Sequence, residues 1–180
     1  MAGRTHREGM ILYTIGHSTR PFDELVDLLK AHAIGQLIDV RTVPRSRHNP
    51  QFNKERLGPA LRRRRVNYRH MRILGGLRHA RADSTANAGW RNASFRGYAD
   101  YMQTAEFQEG LKRLLAIARK RPTAIMCAEA VPWRCHRSMI ADALIARGIR
   151  VADIMGPGKA RPRKLNPMAI VRRGRVSYPA

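Results

Sequence analysis

Short apolar runs alternate along this chain with longer stretches whose apolar positions recur every three or four residues. The first kind reads as buried strand, the second as one face of a helix. Residues 11–15 (Ile-Leu-Tyr-Thr-Ile) are β-prone and are closed by Gly16. Phe22, Leu25, Val26 and Leu29 then repeat at helical spacing. Pro21 suits a first turn, Asp23 and Glu24 suit the amino-terminal dipole, and Gly35 is a stop. Residues 36–40 read as a second strand, which completes a βαβ unit.

Residues 41–53 hold Pro44, Ser46, Asn49 and Pro50 and read as a long loop of the kind that carries function. Residues 54–64 form a basic helix pattern. Residues 66–73 are a third strand weakened by its own charges, broken at Gly75-Gly76. The small, polar stretch 79–91 predicts a partly ordered loop. Phe107, Leu111, Leu114, Leu115 and Ala118 share a helix face, with Thr104 as cap and Pro122 as stop. Residues 123–128 are a buried-type strand, 136–147 a further helix closed by Gly148, and 150–154 the last strand. Such alternation predicts a single α/β domain, a mainly parallel sheet of about five strands with helices on both faces, in three layers. The predicted organisation is a flexible amino terminus (1–9), the α/β domain (10–158) and a basic carboxy-terminal extension (159–180).

Charge changes the picture more than composition does. The 180 residues hold 35 Lys and Arg against 13 Asp and Glu, a net charge of +22. Residues 45–81 carry twelve of these cations and one acid, Glu55, and the chain after Asp153 carries seven cations and no acid. Such a field attracts polyanions through phosphate contacts and counterion release. Nucleic acid is therefore an expected partner through residues 45–81 and the tail. An arginine-rich solvated surface would give the same counts. No apolar run approaches the ~20 residues needed to cross a bilayer, and residues 1–9 lack the apolar core of a signal peptide. A cytoplasmic protein with no membrane partner is expected. In that compartment Cys127 and Cys135 are read as free thiols.

Chemically capable residues fall where strands end. Gly16-His17-Ser18 follows the first strand, Asp39 and Arg41 close the second, and Cys127 and Glu129 close the fourth. In a parallel sheet these ends share the carboxyl edge, where open α/β folds bind ligands. Cys135-His136-Arg137-Ser138 then opens a helix, a setting that lowers a thiol's pKa and can hold an anion. The candidate catalytic groups are Cys135, Glu129, His136 and Cys127, with Cys135 the favoured thiolate and Cys127 a packed strand residue. Those for anion binding are His17, Ser18, Asp39, Arg41, Ser46 and Arg137. Each has a plainer reading: a buried cysteine behaves as a small hydrophobe, and Arg41 with Asp39 makes an ordinary ion pair. Cys127, Cys135, His136 and His17 could bind zinc, but seven residues separate the cysteines, unlike zinc knuckles. No metal or other cofactor is expected.

Taken together, Tyr13-Thr-Ile-Gly16-His17-Ser18, Ile38-Asp39-Val40-Arg41 with Pro44 and Ser46, Leu74-Gly75-Gly76, Phe95-Arg-Gly-Tyr98 and Cys127-Ala-Glu129 with Cys135-His136-Arg137 resemble the domain-of-unknown-function 488 family over roughly residues 10–157. The resemblance implies one α/β domain and marks His17, Asp39, Arg41, Cys127, Glu129, Cys135, His136 and Arg137. It implies no reaction. The expected function is hydrolysis of, or group transfer on, an anionic, nucleotide-like substrate. The alternative is a basic nucleic-acid-binding module without catalysis.

Overall fold

In the computed structural model, which describes residues 9–180, the chain forms a six-stranded sheet and a separate two-stranded hairpin. The expected flexible segment 1–9 lies, but for Gly9, outside the described residues. Strands β1 (Ile11–Gly16), β2 (Gln36–Asp39), β3 (Asn67–His70), β4 (Thr123–Cys127) and β5 (Arg150–Ile154) are all parallel. The two-residue β6 (Arg161–Pro162) adds an antiparallel edge, in the order β3-β2-β4-β1-β5-β6. The domain is α/β, as its apolar runs predict.

Five helices, α1 (Phe22–Ala31), α2 (Lys54–Arg63), α3 (Ala93–Tyr101), α4 (Ala105–Ala118) and α5 (Arg137–Ile145), cover the sheet. Strand side chains alternate between faces, and two cores result. Ile15, Leu37, Ala124 and Met126 pack with Leu25 and Leu29 of α1 and Leu57 and Leu61 of α2. Leu12, Ile38, Ile125 and Cys127 pack on the other face with Tyr98, Leu111, Met139 and Ile140 of α3, α4 and α5.

The helix α3 falls on a stretch whose pattern predicts none. It starts from Asn92, whose side chain accepts the amides of Ser94 and Phe95. Its polar Asp100 is buried and accepts bonds from Ser84 Oγ at 2.7 Å, Asn87 Nδ2 at 2.8 Å and the Arg81 amide at 3.0 Å. That carboxylate ties the 79–91 stretch, expected to be only partly ordered, onto the fold. The extension is tied down too. Beyond β6 it forms the hairpin β7 (Ile170–Arg172) and β8 (Arg175–Ser177). Tyr178 is fully buried, its hydroxyl donating to Asp142 Oδ2 of α5 at 2.7 Å and its amide to Asn87 Oδ1 at 3.0 Å. Among the described residues no helix is long and apolar enough to cross a membrane.

Candidate active site at the carboxyl edge

Beyond the ends of β1, β2 and β4 lies a cavity of about 610 Å³. Its walls include His17, Ser18, Arg41, Ser46, Cys127, Glu129, Cys135 and His136. Eight of the ten residues expected to form a site therefore line one space. The other two, Asp39 and Arg137, lie behind its walls. The first and fourth strands' loops are stitched together past their ends: the His17 amide donates to Cys127 O at 3.0 Å and the Ser18 amide to Ala128 O at 2.9 Å. Gly16 is what lets them meet. A methyl group there would overlap the Glu129 carbonyl oxygen, so only glycine admits the crossing.

The convergent residues divide into two clusters because successive strand positions face opposite ways. On the α1 and α2 side, Arg41 is gripped by Asp39, with Nε to Oδ1 at 2.9 Å and Nη2 to Oδ2 at 2.7 Å. Its Nη2 also donates to Phe52 O, and Tyr68 donates to Asp39 Oδ2 at 2.6 Å. His17, stacked on Phe52, donates from Nδ1 to Ser18 O at 2.8 Å, which leaves Nε2 to accept from Arg41 Nη1 at 3.1 Å. Burial, helped by the neighbouring Arg41 charge, lowers the His17 pKa to about 4. It is a neutral ring that positions Arg41.

On the α5 side the organising group is Arg137. It is fully buried, and it takes part in none of the ion pairs among the described residues. A guanidinium stays charged in a protein, and a buried charge needs compensation. Its donors go to the Glu129 carbonyl at 2.6 Å, the Ala130 carbonyl at 3.1 Å, Thr14 Oγ1 at 3.2 Å and Cys127 Sγ at 2.7 Å. Thr14 in turn donates to Asp153 Oδ1 at 2.6 Å. Of these direct partners, only the Cys127 sulfur can itself become an anion.

Burial by itself pushes the Cys127 thiol up. The hydrogen bond from Cys135 Sγ at 2.7 Å and the Arg137 guanidinium outweigh it, and the pKa falls below its ordinary value near 9. Cys135 is pushed well above that value, first by its bond to Cys127 and then by burial. These shifts favour ionisation at Cys127 over Cys135, the thiol expected to ionise: Cys135 donates to Cys127, and the Arg137 guanidinium lies against the same sulfur. His136 donates from Nε2 to Val40 O at 2.8 Å, so its bare Nδ1 faces Cys135 Sγ at 3.4 Å. Burial holds this ring's pKa at about 4. Glu129 turns its carbonyl inward to Arg137, while the residue as a whole is exposed on the cavity wall.

Thr14 and Asp153 join this cluster by hydrogen bonds that the pattern of strand ends does not reveal. The pairing of β1 with β5 brings them together across 139 residues of sequence. On the cavity's lining Val43 and Leu77 are exposed, as are Arg134 and Arg45, the latter paired with Glu55 at 3.2 Å. Among the described residues no group of three or more His, Cys, Asp or Glu is arranged to hold a metal ion.

A parallel α/β sheet with a cysteine-bearing cavity at its carboxyl edge defines the class of this protein. Within that class, the chain belongs to the family described as Domain of unknown function DUF488, which it matches over residues 21–144. That span takes in Asp39, Arg41, Cys127, Glu129 and the Cys135-His136-Arg137 turn. No curated protein and no solved structure shows a significant match.

Proposed function

We propose that the chain is a cysteine-dependent enzyme that hydrolyses, or transfers a group from, an anionic, nucleotide-like substrate held in the carboxyl-edge cavity. The observation that carries this reading is the buried, carboxylate-free Arg137 donating to Cys127 Sγ on the cavity wall. A buried cation aimed at a thiol favours the thiolate, which is the nucleophilic form. The cavity volume is in the range of small-ligand sites, and Arg134 on its wall, in none of the ion pairs among the described residues, supplies a charge that suits an anion. The exposed apolar groups on its lining suit the flat face of a base.

In this reading the Cys127 thiolate bonds to the electrophilic phosphoryl or acyl centre, and the leaving group departs with the bonding pair as an anion that takes a proton from solvent. Water, giving its proton to the Glu129 carboxylate, then breaks the bond from sulfur and restores the thiolate. Arg137 acts through Cys127 as a positioning residue. Intact-mass measurement after mixing with nucleoside 5′-phosphate p-nitrophenyl esters tests the idea. Release of nitrophenol that Cys127→Ser abolishes supports it. Release undiminished by both Cys127→Ser and Glu129→Gln refutes it.

The second reading, a nucleic-acid-binding module, rests on a separate observation. Of the twelve Lys and Arg in residues 45–81, none is buried. Binding to a short oligonucleotide should then weaken steeply as salt rises. Salt-insensitive or absent binding would remove this reading.

A further inference from the structure

The group-transfer reading uses the contact between the two sulfurs only as a hydrogen bond. Cys127 and Cys135 are eight positions apart, and their Sγ atoms lie 2.7 Å from each other on the cavity wall. Both are free thiols. A covalent S–S bond is ~2.05 Å long, so bonding them needs the two sulfurs to close by about 0.7 Å. The surroundings distinguish the two atoms. Cys127 has a guanidinium at 2.7 Å. Cys135 has a neutral imidazole nitrogen, His136 Nδ1, at 3.4 Å and the Arg137 amide at 3.5 Å. The first setting keeps an anion ready to attack. The second offers an acceptor for a proton when Cys135 attacks in its turn. Cys127 is 2% and Cys135 5% exposed, and both line the cavity, which favours a small molecule as the reactant.

We propose that Cys127 and Cys135 form a catalytic dithiol couple that reduces a small peroxide, with Cys127 the attacking thiol and Cys135 the resolving one. The Cys127 thiolate attacks one peroxide oxygen, the O–O bond breaks, and the departing oxygen leaves with the bonding pair and takes up a proton as water or alcohol. Cys127 becomes a sulfenic acid, oxidised by two electrons. Cys135 then attacks Cys127 Sγ as its proton passes, by way of His136 Nδ1, to the departing hydroxyl. The S–O bond breaks, and the hydroxyl leaves as water with that proton. The product is one intramolecular disulfide, and a small external dithiol returns both thiols by exchange. In the oxidised state the thiolate of the group-transfer reaction is absent, so a peroxide would also silence that reaction reversibly. The couple stands on the sulfur geometry and holds whatever anion the cavity takes.

The test uses the full chain, fully reduced, with hydrogen peroxide as the probe. Thiols are counted by alkylation under denaturing conditions and by intact mass. The expected product is a monomer lighter by two hydrogens with no free thiol, restored by dithiothreitol. Cys135→Ser should consume peroxide at the first step and accumulate a sulfenic acid at position 127 that dimedone traps. Cys127→Ser should lower the rate of peroxide consumption by about tenfold or more, as expected when the activated thiolate is lost. His136→Gln should slow disulfide closure while leaving sulfenic acid formation in place, which a merely structural change would not separate. Catalytic peroxide consumption with dithiothreitol should exceed that of the double Cys→Ser variant. The proposal is overturned if both thiols survive peroxide, if the product is a disulfide between two chains, or if Cys135 is oxidised in Cys127→Ser as fast as Cys127 is in the native chain. None of these results bears on nitrophenol release, so the two ideas fail separately.

Discussion

Acid should unfold this protein through two particular rings. His17 and His136 are both held neutral with pKa values lowered from 6.5 to about 4, chiefly by burial. In the unfolded chain each binds a proton near pH 6.5, while in the folded chain neither does until about pH 4. The unfolded state therefore holds more protons throughout that window, and stability rises with pH across it. A fall from 6.5 to about 4, at ~1.4 kcal/mol per pH unit, amounts to roughly 3 kcal/mol per ring. That sum is a large part of the ~5–15 kcal/mol typical of a domain. Geometry gives the same sign. Protonating His17 Nε2 would set a second cation 3.1 Å from Arg41 Nη1, and protonating His136 Nδ1 would place a buried charge near Arg137 and Arg78. Urea unfolding followed by circular dichroism at pH 7.5, 6.5, 5.5 and 4.5 measures the effect. The native chain should lose stability with a slope approaching two protons, and the His17→Gln/His136→Gln variant should lose about 3–6 kcal/mol less over the same window. A slope unchanged in that variant, or a native chain indifferent to pH between 6.5 and 4.5, would refute the reasoning.

Cys127 should react with iodoacetamide at neutral pH well before Cys135, and Arg137→Lys, which keeps the charge but loses the fork, should raise the pH midpoint of that reaction; mass mapping of the alkylated peptides decides it. The same thiol pair fixes a stability trend. Stability due to Cys127 should grow as pH rises from its lowered pKa toward 9, and the resistance of Cys135 to ionisation should reverse the trend above 9. Gly16→Ala drives a methyl into the Glu129 carbonyl and should cost roughly 1–3 kcal/mol or more, with loss of the fast thiol, checked by urea unfolding and alkylation together. Tyr178→Phe leaves the buried Asp142 carboxyl short of a donor and should cost about 1–3 kcal/mol. It should also push that carboxyl, already raised by burial, further up.

The parallel strands and four of the helices are readable because each buries an uninterrupted run or a regular face. The fifth, α3, is hidden because Ser94, Arg96 and Gly97 break its periodicity, and its buried face includes Asp100, whose partners lie in a loop. Gly97 packs against the backbone of that loop, where a methyl would come within 2.6 Å of the Ala80 nitrogen. The edge strand β6 is two residues long and contains a proline, too little to register as a pattern. Convergence of the site residues follows from chain order, since parallel strands align their carboxyl ends. Which thiol ionises does not follow. It depends on Arg137 reaching back ten positions to Cys127, in three dimensions rather than along the pattern, and on Thr14 and Asp153, more than a hundred positions away from it or from each other, steadying that guanidinium. The sequence pattern favours Cys135 through its helix position, whereas in the folded chain the Cys135 hydrogen bond and the guanidinium both lower the Cys127 pKa.

The stitching of the β1 and β4 loops has a kinetic consequence. Amides beyond a strand end ordinarily exchange with solvent quickly, yet those of His17 and Ser18 are bonded to Cys127 and Ala128 carbonyls, with Glu129 pressed over Gly16. Their exchange should be as slow as that of the strand interior, and measuring it by mass spectrometry would show whether this wall opens at all. A wall locked in this way cannot admit a ligand by parting. A ligand of the proposed reaction would pass the exposed Val43 and Leu77 on the cavity's lining instead.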